Sequence, residues 1–238
     1  MAHGLGVMLG VGGGKPATSG GMPPAPAFEN DWCVNFDGTN DAMDVGNSSD
    51  FNFTSASTFT LSLWVNFDAI NSVNRLIYRH NGGAEGWNIY TRNTTGLSMY
   101  TDDDNNFGGS FSTGTWYHLA LVYDATSATF YLDGSSVATK TVDITSTAAR
   151  SMYYAGTLAY FFDGRMDELS IFDSALSGAT VSSIYNGGTP TDLTSLSPVN
   201  WWRMGDIVGG SGTNIPDQGS DGHDGTLVNG PTFSSSVP

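Results

Sequence analysis

From Phe59 to Phe67 the chain alternates: Phe59, Leu61, Leu63, Val65 and Phe67 hold one parity, and Thr60, Ser62 and Asn66 the other. That is the period of a strand with one buried face. Trp64 breaks the polar set, which predicts an outer face partly covered by a loop or a neighbour. Trp116 to Tyr123 carries apolar or aromatic groups on both faces, as a central strand does, and Ala128 to Leu132 alternates again before Asp133-Gly134. Asp-Gly between two strand patterns predicts a tight hairpin, because glycine tolerates the positive φ that the turn requires. Asp37-Gly38 and Asp163-Gly164 read as similar turns. Punctuation of this kind predicts an all-β chain of two stacked antiparallel sheets. One short helix is expected at the end of that sandwich: Ser177 caps a segment in which Val181, Ile184 and Tyr185 recur at helical spacing, and Gly187-Gly188 stops it. Further on, Trp202 and Met204 share one strand face, Trp201 and Arg203 the other, and Thr226 to Val228 forms a second short strand.

Several of these segments carry a family resemblance. Phe36-Asp37-Gly38-Thr39-Asn40-Asp41, Phe59 to Val65, Trp116 to Ala120, Phe130 to Gly134, and Phe162 to Phe172 with Ala175-Leu176-Ser177 resemble, in near-family order, the laminin-G-like, concanavalin-A-like jelly rolls. Asn200 to Asp206 and Asp221 to Pro231 resemble a segment that normally comes first in that family, so the order is expected to be circularly permuted. On this reading residues 28–238 form a single jelly-roll domain in which 198–238 supply the family's usual first strands. The competing reading is that these strands complete a neighbouring subunit.

The amino terminus differs in kind. Leu5, Val7, Met8, Leu9 and Val11 are interrupted by glycines, with no basic region ahead of them, which makes a poor signal peptide. Ala17 to Ala27 continues as a tether in which Pro23, Pro24 and Pro26 favour an extended path. Residues 1–27 read either as a disordered tail or as an arm whose five apolar residues anchor it by ordering on a partner.

The 238 residues carry a formal net charge of −15, which repels a phosphate backbone and argues against nucleic acid as a partner. No stretch reaches the roughly 18 apolar residues of a membrane span. The single cysteine, Cys33, leaves no internal disulfide, and with four histidines it gives no zinc pattern. No Gly-x-Ser-x-Gly elbow is present, and His118 reads as a structural residue. Glucanases sharing this sandwich place their carboxylates at alternate positions of one strand; Asp167 and Glu168 are adjacent and are expected on opposite faces, so no enzyme is expected.

A cation remains open. Asp167 shares its parity with Leu169 and Ile171, which predicts an inward carboxylate needing a cation or several donors. Calcium held by Asp37, Asp167 and Asp206 is one reading. Bonds to Arg203, Arg165 or backbone amides are the other. The double-calcium site of the pentraxin branch is not expected, because Gly156 to Phe161 offers no carboxylate. Asp102 to Asn106 reads as a solvated turn.

The resemblance implies a lectin-like domain, and Trp87, Tyr90, Tyr100, Phe107, Tyr160 and Phe161 are the aromatic candidates for stacking on sugar faces. Ser197 to Asp206 is also similar to repeats in structural proteins of marine tailed phages. The expectation is a virion protein, capsid- or tail-associated and homo-oligomeric. Its arm would hold it to other virion proteins such as the major capsid protein, and its loops would meet cell-surface glycan. The alternative is a free carbohydrate-binding lectin.

Overall fold

The computed structural model describes Met1 and residues 28–48, 51–80, 86–93, 96–101, 103–144, 151–156 and 160–238. The proposed arm residues Leu5, Val7, Met8, Leu9 and Val11 lie outside them. In chain order the strands are β1 (Cys33–Asp37), β2 (Ala42–Asp44), β3 (Phe59–Phe67), β4 (Asn74–His80), β5 (Gly86–Thr91), β6 (Leu97–Tyr100), β7 (Asp104–Gly108) and β8 (Trp116–Tyr123). There follow β9 (Ser127–Leu132), β10 (Ser135–Thr141), β11 (Tyr153–Tyr154), β12 (Asp163–Phe172), β13 (Asn200–Trp202), β14 (Asn214–Ile215), β15 (Gly225–Val228) and β16 (Thr232–Ser234), with helix α1 (Gly178–Tyr185) after β12. They form two antiparallel sheets packed as a sandwich. The first runs β10-β9-β8-β3-β12-β1-β16, with β13 also on β12, and the second runs β14-β15-β2-β11-β4-β5-β6-β7.

The alternation of β3 places Phe59, Leu61, Leu63, Val65 and Phe67 in the core between the sheets. Its other face is buried as well, because α1 lies across it. Trp64 stacks on Tyr185 with ring centroids 5.8 Å apart, and Val181 packs on Ala120 and Val122. The helix therefore covers the outer face of the first sheet rather than the end of the sandwich. Ser177 accepts the Thr180 amide at 3.1 Å, and Asn186 enters the left-handed region at φ 46° to close the helix. Asp133 and Gly134 have φ of 50° and 72°, both positive as a two-residue hairpin requires, and Leu132 faces Ser135 across it. Asp163-Gly164 is not a turn. It opens β12, where Gly164 crosses so close to β3 that a Cβ would sit 2.1 Å from the Asn66 carbonyl oxygen.

The tail pairs within the same chain and serves both sheets. β13 joins β12, β15 joins β2, and β16 joins β1 opposite Cys33-Val34-Asn35. Trp202, Met204, Ile215 and Leu227 enter the main core, while Trp201 faces the outer layer with Phe172, Ile184 and Leu193. Asp217 ties the segment together. Its two oxygens accept the Asn200 side-chain amide and the backbone amides of Trp201, Gly219 and His223 at 2.7 to 3.0 Å. Among the described residues no helix is long and apolar enough to cross a membrane.

Candidate functional site

Polar and aromatic side chains gather on the outer face of the second sheet. Cross-strand register lines up Asp44, Tyr153, Tyr78, Asn88, Tyr100 and Asp104 in one row. A second row holds Arg75, Tyr90, Ser98 and Asn106. The alternate positions Met43, Tyr154, Ile77, Ile89 and Met99 point into the core, which fixes the two rows on the opposite side. Arg75 and Tyr78 are three apart, an odd spacing that a regular strand would split between faces. A β-bulge between Arg75 and Ile77 resets the parity, so Leu76 and Ile77 are both buried while Arg75 and Tyr78 share the outside.

Tyr78, Asn88, Tyr90 and Ser98 are buried and make the floor. Tyr100, Tyr153 and Arg75 are half-buried, and Asp104, Asn106 and Tyr160 are exposed around it. Tyr90 donates its hydroxyl to Asp104, and Arg92 pairs with the other Asp104 oxygen at 2.9 Å. Burial, then the Asp104 carboxylate, push the Tyr90 phenol up to about 12, so it remains a donor. Asn106 donates to Ser98 at 3.2 Å. The Arg75 guanidinium lies 4.5 Å from the Tyr78 ring centroid and 5.1 Å from that of Tyr160, and the Arg75 amide donates to the Tyr160 carbonyl at 3.0 Å. Rings, amides, hydroxyls and a planar cation side by side are the groups that bind polar, flat-faced ligands.

Of the six aromatic candidates, Tyr90, Tyr100 and Tyr160 lie on this face. Trp87 is a correction: it is 0 % exposed and packs in the core on Phe53 and Phe59. Its odd separation from Tyr90 puts the two on opposite faces of β5. Phe107 is a second correction, a core side chain at a bulge where β7 crosses Leu97-Ser98. Phe161 is half-buried beside Gly156. Sequence reasoning missed Arg75, Tyr78, Asn88, Asn106 and Tyr153. The even spacing of Asn88 and Tyr90 was an available signal, whereas the bulge beside Arg75 was not.

The three calcium candidates do not converge. Asp37 is exposed, its Oδ1 caps the Thr39 amide, and it faces Asp163, four residues and roughly 13 Å along β12 from Asp167. Asp167 and Asp206 do come near each other, on the outer side of the first sheet rather than inward. The cause is a second bulge: register shifts between Asp167 and Ser170, with Glu168 at φ 48°. Asp167 faces Trp64, Leu169 returns to the core, and Glu168 reaches the same outer layer as Asp167. These carboxylates are thus not on opposite faces.

Their oxygens are already engaged. Asp167 accepts the Asn30 side-chain amide at 3.0 Å and the Glu168 amide at 2.8 Å. Glu168 accepts the Trp201 indole at 2.5 Å and Arg203 at 3.1 Å, and Asp206 accepts Arg203 and the amides of Asp31 and Trp32. Burial, and then mutual repulsion, hold Asp167 well above the ordinary carboxylate range; burial raises Glu168 too, against the pull of Arg203. Among the described residues no group of three or more His, Cys, Asp and Glu side chains is arranged to hold a metal ion. With exposures of 0 % and 3 %, Asp167 and Glu168 are closed to a saccharide as well.

The two-sheet sandwich is of the concanavalin A-like class. Residues 37–182 match the Laminin_G_3 profile, described as the concanavalin A-like lectin/glucanases superfamily, and the chain belongs to that family. Among curated protein sequences none matches it. Similar solved structures include a candidate carbohydrate-binding protein from Bacteroides ovatus, at TM-score 0.68 and 19 % identity over 87 % of this chain and 60 % of that one. Domain 4 of AbnA, a GH43 extracellular arabinanase from Geobacillus stearothermophilus in complex with arabinotriose, gives 0.53 and 20 % over 64 % of this chain and 76 % of that one. The heptameric SAP-like pentraxin from Limulus polyphemus gives 0.52 and 14 % over 68 % and 85 %. This chain thus spans 60 % of the length of the first of these proteins.

Proposed function

We propose that the protein is a carbohydrate-binding domain that holds saccharide on the outer face of its second sheet, without catalysis. The observation carrying this is the pair of cross-strand rows, which bring Tyr78, Asn88, Tyr100 and Tyr153 beside Arg75, Tyr90 and Asn106 on one surface. The similarity to a candidate carbohydrate-binding protein and to an arabinanase domain bound to arabinotriose supports the same reading. Glycan-array binding by the full chain, with loss of binding in Asn88→Ala and Tyr100→Ala at unchanged melting temperature, tests it. Unaltered binding by both variants would move the site elsewhere.

We further propose that this domain is displayed on a phage particle through residues 1–27. Phe28, which follows that segment, stacks on Trp201 in the layer outside the first sheet. Phe28 therefore lies on the side of the sandwich opposite the tyrosine rows, which suits an anchor on one side and a ligand face on the other. Mass spectrometry of purified particles, and of particles carrying a deletion of residues 1–27, tests this. Absence of the protein from particles, or retention of the deleted form, counts against it and leaves the free lectin.

A further inference from the structure

The row that begins at Asp104 does not stop at Asp44. β15 pairs Thr226 with Asp44, and β14 pairs Asn214 with Thr226, so the carboxyl-terminal strands carry the row two positions further. Leu227 and Ile215, next to them in sequence, enter the core, which fixes Thr226 and Asn214 on the same outer side as Tyr153 and Asn88. Both are exposed. Asn214 donates to Asp224 at 3.0 Å, and Asp224 accepts the Asp217 amide at 2.9 Å, so the network that ties the tail together also orients Asn214. Beyond Asp44, the Tyr153 hydroxyl is tied to Asp44 and Ser151. Groups held in place before a ligand arrives lose less freedom on binding it.

Resting on the saccharide-binding reading above, we infer that the ligand is a neutral, linear saccharide chain lying lengthwise across the strands, with Thr226 and Asn214 forming its far subsite. Length is the first argument. Eight strands spaced about 4.8 Å apart carry the row over about 34 Å, several times the span of one sugar ring. A terminal sugar held end-on would leave most of that row unused. Charge is the second argument. The row holds carboxylates at Asp44 and Asp104, and a chain of net charge −15 repels a polyanion at long range. The hydroxyls of a neutral chain meet acceptors at carboxylates, and both donors and acceptors at the side chains of Asn88, Thr226 and Asn214.

The test is calorimetric titration of the full chain with ladders of neutral oligosaccharides, the cello-, xylo-, manno- and arabino-series from one to about eight units, beside an oligogalacturonate ladder as the anionic comparison. In the neutral ladder that binds, affinity should rise about tenfold or more from the disaccharide to the longest members and then level off. The double variant Asn214→Ala with Thr226→Ala changes two exposed side chains and should melt as the parent does. It should bind the longest members about tenfold more weakly, with affinity levelling off at a shorter length. Affinity that does not change with length, a double variant with the parent's length profile, or tighter binding of oligogalacturonate than of every neutral ladder overturns the inference; in each of these outcomes loss of binding in Asn88→Ala still upholds the saccharide face. Binding of no member of any ladder overturns both.

Discussion

Ser62 Oγ and His118 Nε2 lie 2.8 Å apart on neighbouring strands, sealed beneath α1 by Trp64 and Tyr185. Burial pushes the His118 imidazole down to about 3, so the folded protein keeps it neutral where an unfolded chain, at about 6.5, takes up a proton. The neutral imidazole therefore favours the fold fully above pH 6.5, and that contribution is lost progressively as pH falls towards 3. The slope is about 1.4 kcal/mol per pH unit for one proton. Asp167 and Glu168, raised by burial, work in the opposite sense and favour the fold as pH falls. Urea unfolding from pH 7 to pH 4 should show a shallower loss of stability in His118→Gln than in the parent; identical slopes would mean that His118 protonates in the fold.

Trp87 and Tyr100 separate the two sides of the second sheet. Trp87→Ala empties a core site and should cost about 3 to 5 kcal/mol without touching the ligand face. Tyr100→Ala should change stability by under about 1 kcal/mol and abolish glycan binding. Thermal melts and binding isotherms on both variants check the division, and the reverse pattern would invert the assignment of faces.

Asp217→Ala removes the acceptor for four donors across residues 200 to 223. Loss of a charged acceptor that leaves several amides unmatched is expected to cost about 3 kcal/mol. Amide exchange across β13 and β15 should accelerate before that of β8.

Among the described residues Arg203 is the cation bonded to Glu168 and Asp206, and it also donates to the Glu29 carbonyl and lies 4.2 Å from the Phe28 ring centroid. Arg203→Met strands two largely buried carboxylates and should cost about 3 to 5 kcal/mol at neutral pH, more than Glu168→Gln, which removes a charge from an acidic cluster. Hydrogen exchange at residues 28–32 should rise in the arginine variant, and the loss should shrink as pH is lowered and the carboxylates take up protons.

What the sequence made legible follows from regular geometry. β3 could be read from parity, the hairpin at Asp133-Gly134 from the φ its turn demands, and α1 from Ser177 and the spacing of Val181 and Ile184. Where one extra residue enters a strand, parity misleads. The bulges at Leu76 and Glu168 put Arg75 with Tyr78 and Asp167 with Glu168, pairings that a regular strand forbids, and neither Leu nor Glu announces a bulge. Trp87 and Phe107 failed as candidates for another reason: they were chosen by side-chain type. Alternation within Trp87-Asn88-Ile89-Tyr90 separates core from surface, and Asn88 rather than Trp87 stands beside Tyr100. Buried networks such as that around Arg203 join residues 29, 168 and 206, a long-range convergence that no local pattern encodes.

Because β16 flanks β1 and β15 flanks β2, two strands near one end of this chain order wait for two that are made much later. Until β15 and β16 have emerged, β1 and β2 each present an open hydrogen-bonding margin to whatever else is nearby, the hazard carried by any exposed strand edge. Removing residues 232–238 would leave β1 without β16 at its side, with aggregation during expression as the outcome.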